Sequence, residues 1–454
     1  MVFEHLRPRL QRLHADLKSP RCPSSSSRTV FNSLALLPVT QAFPKHRTDI
    51  LVSTNFFLTF SRLIKSFHCN EPNWNSYLSS QPTPTPTPTI TGIHHVTAFA
   101  KDPVANVNFY TRVLGLRLVK QTVNFDDPST YHLYYGDHSG SPGTLLTHFP
   151  NPRAARTNHA SCEITDTLLL IPENSLDAWA TRLNSLRVSN RIEYLLGSTI
   201  LRFEDHDGMR FGFVEAGPNL PQTTDLPRAS INPKHAIRGV AGVEIHVPNA
   251  AATIDFLTTS LGFKLVQSER DAHWLALDQV GLNQLASDQL GLNQLASDQL
   301  AQTQFTQTQF TQTQITHSLA SSTISNSLSA FDRSHLGQRL VIIQDPSPHA
   351  TMGAGTVHHV AWRVPNLATQ KRASEAINAA GIAVTPVIDR NYFHSIYFKI
   401  PGGVIFEIAT DTPGFAVDEP LDALGTTLKL PSQYESRRTT IERALVPLPT
   451  QHGS

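Results

Sequence analysis

The clearest order along this chain is a hydrophobic pattern that changes period in the same sequence four times. Residues 94–122, "HHVTAFAKDPVANVNFYTRVLGLRLVKQT", align without gaps with residues 241–269, "AGVEIHVPNAAATIDFLTTSLGFKLVQSE", an offset of 147. Each copy reads as a strand, a helix and a second strand. Asp102 and Pro103 supply a helix cap and first turn, and Gly115 and Gly262 stop the two helices. Short strands follow: "TYHLYYGD" and "GTLLTHFP" in one copy, "AHWLALD" and "QRLVIIQ" in the other. Another copy starts at "HHVAWRV" (358–364), continues through a helix near 366–380 and ends in "DRNYFHSIYFKIPGGVIFEIATD" (389–411). A weaker one lies between 160 and 215 and closes on "MRFGFVEAG". The pattern predicts an α+β chain of four βαβββ modules.

Two segments break it. Residues 1–90 have no sustained period and end in the Pro/Thr linker "QPTPTPTPTI". They contain four acidic residues (Glu4, Asp16, Asp49, Glu71) against ten Lys/Arg. Such an acid-poor segment fits a disordered extension on a cytoplasmic protein, or an organellar transit peptide. The second break, 279–330, holds "GLNQLASDQL" twice in succession and then "AQTQFTQTQFTQTQ". A surface loop tolerates such an expansion because closure entropy grows by only about 0.6 kcal/mol per doubling of length. The expected organisation is an extension (1–90), a domain of modules one and two (91–232), a domain of modules three and four with the insert (233–430), and a C-terminal tail (431–454).

Composition adds exclusions. A formal net charge of +1 with 16% charged residues gives no reason to expect a nucleic-acid partner. The longest apolar run, "LVSTNFFLTFSRLI" at 51–64, is shorter than the ~20 residues of a membrane span and carries Arg62. Cys22, Cys69 and Cys162 lack metal-ligand spacing and fit a reducing compartment.

Glu407 is the anomaly in the pattern. It sits inside Val404–Ala409, a run suited to a buried strand, where an unpaired carboxylate costs several kcal/mol. Pro401-Gly402-Gly403 fits a three-residue hairpin loop, which pairs 400 with 404 and places Tyr397 opposite Glu407. On the strand from 358, His359, Ala361 and Arg363 share one face; in the first module His95 shares a face with Thr97. In a regular strand only one histidine of each "HH" pair can reach a given ion. A structural ion pair of Glu407 with Arg390 or Lys399 is the alternative.

Modules that open on His-Val and close on Gly-x-x-x-Glu resemble the vicinal-oxygen-chelate superfamily of glyoxalases, bleomycin-resistance proteins and extradiol dioxygenases. "GIHHVTAFA", "GTVHHVAWRVPN" and "DRNYFHSIYFKIPGGVIFEIATDTPGF" are similar to its ring-cleaving dioxygenases that act on hydroquinones. The resemblance implies modules paired into two open, incomplete β-barrels. It places the ligand just before each Val, hence His95 and His359, with Glu407 completing a facial triad for Fe(II), or alternatively Mn(II). It implies cleavage of the ring between carbons 1 and 2, with both atoms of O2 entering the product. It gives His94 as acid or base, Tyr397 and Arg390 as groups acting on substrate or bound oxygen, and Thr97 and His358 as orienting residues. Regular alternation would nevertheless turn His94 and His358 away from the metal.

The modules differ at these positions. Gly242 replaces His95 in the third, while Thr147 and Gly212 stand at the Glu407 position in the first and second. The first and fourth modules are therefore expected to pair around one metal, and the second and third to pair without one. His148, His246 and His394 are expected to be non-ligands. The implied partners are a small aromatic substrate and O2, with homo-oligomerisation open. Catechol extradiol cleavage, a glyoxalase-type lyase or isomerase, and a metal-free aromatic-binding protein are the rival functions.

Overall fold

Short β-branched and aromatic runs, punctuated by glycine turns, form sixteen strands among the described residues, which are 90–156, 159–216, 231–277 and 337–449 of the computed structural model. The extension up to residue 89 and the 279–330 insert lie outside the described residues. The first module comprises β1 (Ile93–Ala100), α1 (Pro103–Asn108), β2 (Arg117–Val123), β3 (Tyr131–Gly136) and β4 (Leu145–Pro150). The second comprises β5 (Glu163–Ile171), α2 (Leu176–Ser185), β6 (Asn190–Leu195), β7 (Ser198–Glu204) and β8 (Arg210–Glu215). The third runs through β9 (Gly239–Val247), α3 (Ala250–Ser260), β10 (Phe263–Glu269), β11 (Ala272–Leu277) and β12 (Arg339–Gln344). The fourth has β13 (Val357–Val364), α4 (Leu367–Ala379), a two-residue β14 (Ile388–Asp389), β15 (His394–Lys399) and β16 (Ile405–Thr410).

Helix starts follow local chemistry. Asp102 accepts from the N–H groups of Val104 and Ala105, and Asn249 and Asn366 cap α3 and α4 in the same manner. The first helix departs from the expected continuous form. Beyond Asn108 it widens into a π turn over Phe109–Val113, which buries both Phe109 and Tyr110.

The strands form two eight-stranded sheets of the vicinal-oxygen-chelate type. One has the order β14-β15-β16-β13-β1-β4-β3-β2 and joins the first and fourth modules; the other, β10-β11-β12-β9-β5-β8-β7-β6, joins the second and third. Each sheet thus draws on both 91–232 and 233–430. In the first sheet, antiparallel β1 and β13 pair Val96 with Val360, His95 with Ala361 and Thr97 with His359. That register is symmetric about the Val96–Val360 pair, so a pseudo-twofold relates His95 to His359 and Thr97 to Ala361. Alternation then sorts the faces: Val96, Ala98, Val360 and Trp362 enter the main apolar core, while Ala361 joins a smaller cluster with Tyr134, Phe393 and Ala409.

The segment beyond β16 is folded onto this sheet. Lys120 of β2 is fully buried; its Nζ lies 2.6 Å from Asp418, contacts Glu419 and sits 4.8 Å from the centre of the Tyr392 ring. Within 431–454, α5 (Arg438–Ala444) places Ile441 in the main core, and Leu445 follows it there.

Candidate metal centre

The β15–β16 hairpin has the register that its turn residues predict. Ile400 N–H donates to the Val404 carbonyl at 3.0 Å, and Tyr397 stands opposite Glu407. The turn needs Gly402, whose φ is 106°, and a Cβ there would meet a Val247 methyl at 2.6 Å.

His95, His359 and Glu407 converge. The two Nε2 atoms are 3.2 Å apart, and Glu407 Oε2 lies 2.8 Å from that of His359 and 3.4 Å from that of His95. All three residues are buried, with the ligand atoms within 4.8 Å of one another. Glu407 Oε1 accepts from the Ser395 hydroxyl, whereas Oε2, despite these close nitrogens, receives no well-directed hydrogen bond. A buried carboxylate oxygen without a directed donor, facing two imidazole nitrogens, is the donor set of a divalent cation. Burial disfavours charge on Glu407, yet the two imidazoles outweigh it and hold the carboxyl well below its usual range. Among the described residues no other group of three such side chains is positioned to hold a metal.

The expectation that His94 and His358 point away fails because neither strand is regular at its His-His pair. The β1–β13 register shifts between Ile93 and His95 and again between Thr97 and Ala98, which makes His94 and His358 the extra residues of two bulges. Each bulge brings the neighbour's ring to its partner: His94 Nδ1 is 2.9 Å from His95 Nδ1, and His358 Nδ1 is 2.6 Å from His359 Nδ1. Burial holds His94 well below, and His358 at about 3 against, the ordinary imidazole value, so both remain neutral and can accept. As acceptors they can take a hydrogen bond from Nδ1–H of His95 and His359, in the tautomer that leaves each Nε2 free to ligate a cation.

The remaining predicted residues line the same region. The Tyr397 ring lies 5.5 Å from that of His359, and burial, followed by the charge of Glu407, raises its phenol pKa. The Arg390 guanidinium packs 5.5 Å from the Tyr397 ring, with Asp126 at 3.9 Å. Thr97 shares a 2.8 Å hydrogen bond with Thr147. Lys399 is exposed, and no ion pair of Glu407 with Arg390 or Lys399 forms. The expected non-ligands stay apart: His148 packs on Tyr110, His246 bonds Asp345 at 2.9 Å, and His394 lies on β15 outside the cluster.

Sequence reasoning missed Ser395 and Phe393. Ser395 is two residues from Tyr397 on one strand face, so alternation could have found it. Phe393 packs against both His94 and His95 from a loop without periodicity.

The second sheet provides a comparison. Register equates Asp166 with His359, Gly212 with Glu407, Glu244 with Thr97 and Arg202 with Tyr397. The Arg202 guanidinium reaches Asp166 at 3.2 Å, Glu244 at 2.9 Å and Glu193 at 3.1 Å.

The model of the "Glyoxalase/Bleomycin resistance protein/Dioxygenase superfamily" matches residues 92–213 and 239–415. The chain is 35% identical to "Putative ring-cleaving dioxygenase MhqO" of Bacillus subtilis (strain 168), covering 78% of this chain and 96% of that protein. It is 26% identical to the "Chlorohydroquinone/hydroquinone 1,2-dioxygenase" of Sphingobium indicum, covering 78% of this chain and 96% of the relative. A crystal structure of a "putative dioxygenase" from Bacillus subtilis subsp. subtilis str. 168 superposes with a TM-score of 0.65 at 33% identity, over 80% of this chain and 99% of the other. With the repeat architecture and the paired sheets, these matches mean that the chain belongs to the glyoxalase/bleomycin resistance protein/dioxygenase superfamily.

Proposed function

We propose that this protein is an Fe(II)-dependent dioxygenase that opens a hydroquinone-type ring between carbons 1 and 2, with Mn(II) as the alternative metal. One observation carries the reading: His95, His359 and Glu407 meet at one point, while the position related to Glu407 by the pseudo-twofold is Thr147, which has no carboxylate. A glyoxalase-type centre would use a second acidic or amide ligand there; two histidines and one carboxylate leave coordination positions free. When bound, Fe(II) supplies those positions and one-electron chemistry toward O2.

The protein groups prepare the site. His94 and His358 fix the tautomers of the two ligands, and we assign them that orienting role. Ser395 holds one oxygen of Glu407 so that the other faces the histidines. Tyr397 keeps its proton and can donate it in a hydrogen bond to a substrate oxygen. Arg390 offers its fork of donors to developing negative charge beside it. The relatives named for ring cleavage, one of them for hydroquinone, support this substrate class. Among the described residues, no helix is long and apolar enough to cross a membrane.

The test is anaerobic Fe(II) loading followed by oxygen uptake with hydroquinone, methylhydroquinone and catechol. Uptake with the first two and a ring-opened acid as product is expected. Uptake with catechol alone would replace the substrate assignment by extradiol cleavage, and absence of metal binding would leave an aromatic-binding protein.

A further inference from the structure

The metal-facing side of the first sheet ends differently in its two directions. Phe99 of β1 pairs with Phe149 of β4 in the same unbroken register that pairs Thr97 with Thr147. Both phenyls therefore lie two residues beyond the threonines, on their face. The pseudo-twofold relates them to Arg363 and Ala409, which pair across β13 and β16. That end is sealed: Asp411 holds Arg363 at 2.8 Å, and Ala409 is buried in the cluster that contains Phe393 and Phe415. Phe99 and Phe149, by contrast, are only half-buried, and neither enters an apolar cluster among the described residues. They pack on rings of the site instead. Phe99 lies 5.2 Å from His358, Phe149 lies 4.3 Å from His132, and the two phenyls are 6.1 Å apart. Because His358 adjoins His359 through its Nδ1, a single ring separates Phe99 from a candidate ligand.

We propose that Phe99 and Phe149 are specificity-determining residues, an apolar flank at the open end of the metal centre that receives an alkyl substituent on the substrate ring. The proposal rests on the dioxygenase reading for the kind of ring and adds which side of that ring the protein selects. Two flanks of unlike chemistry lie on opposite sides of β13 in the sheet order. On β15 and the loop before it, Tyr397 and Arg390 offer hydrogen-bond donors; on β1 and β4 the phenyls offer only carbon. The hydroxyl groups of a diphenol are drawn to the first flank and to the metal, because against the phenyls they would give up water without gaining a partner. A carbon substituent is then left to the second flank. There it leaves water and covers half-buried aromatic surface that the apolar core does not use. A few directed polar groups beside an apolar wall are the usual make-up of a small-molecule site.

Anaerobic calorimetric titration of the Fe(II)-loaded protein with hydroquinone and methylhydroquinone tests it, because Kd is then read without turnover. The wild type should bind methylhydroquinone about 10-fold more tightly, the low end for one methyl group in an apolar pocket. Phe149→Ala should bring the ratio of the two Kd values close to one, Phe99→Ala should lower it in the same direction, and Phe149→Leu should keep most of it. Metal content after loading shows whether each variant retains the site. Equal Kd values in the wild type, or an unchanged ratio in both alanine variants, overturn the proposal. Loss of metal from both alanine variants overturns it as well, since the phenyls would then be structural. In oxygen uptake, the ratio of kcat/KM for the two diphenols should follow the ratio of Kd through the series. Uptake without any selectivity defeats the proposal and leaves the dioxygenase reading intact. Selective binding that Phe149→Ala abolishes, with no oxygen consumed by the wild type, supports the apolar flank while the dioxygenase reading fails.

Discussion

Arg202 stands in the second sheet where Tyr397 stands in the first, each directly across a hairpin from the position that holds Gly212 or Glu407. Glycine at 212 is required by the packing around it, since a Cβ there would meet Ile200 Cγ2 at 2.5 Å, Leu168 Cδ2 at 2.9 Å and Arg202 Nη1 at 3.3 Å. A guanidinium thus meets the buried carboxylates Asp166 and Glu244 in one sheet, whereas the other sheet turns two histidines and a carboxylate toward one another.

Arg202→Met should therefore destabilise the protein without weakening metal binding. Removing one partner of a buried ion network typically costs about 3–5 kcal/mol because the remaining charges lose compensation. Urea unfolding, with metal titration alongside, measures both effects. A stable variant that loses its metal would contradict the division of labour between the sheets.

Glu407→Gln should abolish most metal binding, since the amide removes the only charged ligand of the set. The fold should persist, because the glutamine is nearly isosteric. Elemental analysis after Fe(II) loading reads the outcome, and full stoichiometry with normal turnover would show that the three residues are not the ligands.

Ser395→Ala should be milder. The Ser395 hydroxyl orients Glu407 without touching the point where the three ligand atoms meet. Loss of such an outer hydrogen bond generally costs about 10–100-fold in metal affinity. Competition with a chelator measures it; unchanged affinity would mean that the hairpin alone fixes the carboxylate.

His148 should make the protein acid-sensitive. It is buried on Tyr110, neither ring nitrogen has a hydrogen-bond partner, and burial lowers its pKa to about 3. Between pH 3 and the ordinary value of 6.5 the unfolded chain binds a proton that the folded one does not. Stability contributed by the neutral ring is thus present above pH 6.5 and falls as pH drops toward 3, by roughly 1.4 kcal/mol per unit at most. His148→Phe should flatten that slope in denaturant unfolding at pH 5 and 7. An unchanged slope would assign the acid response to other groups.

The Lys120 contacts invite the same kind of test. Lys120→Met should leave Asp418 and Glu419 facing the sheet without their buried cation and loosen residues 411–430. Proteolysis of that segment should accelerate in the variant, and equal protection would show that apolar packing suffices.

Local chemistry made much of this protein legible. A Pro-Gly-Gly loop dictates which residues oppose each other, so Tyr397 and Glu407 could be paired by counting. Caps and glycine stops marked the helices, and the distribution of His and Glu among the modules indicated that the first joins the fourth. Three features depend on contacts between segments far apart in sequence. The bulges at His94 and His358 arise where two strands 264 residues apart adjust to each other, and no strand alone reveals them. The Phe393 contact and the Lys120-held segment come from loops, which carry no hydrophobic period. The Arg202 network needs Asp166, Glu193 and Glu244 on three separate strands. Sequence determined the modules, the register of the β15–β16 hairpin and the residue types available for chemistry, because those follow from nearest neighbours and alternation. Only the tertiary structure decided which ring nitrogens face one another, because hydrogen-bond direction depends on how paired strands twist and slip.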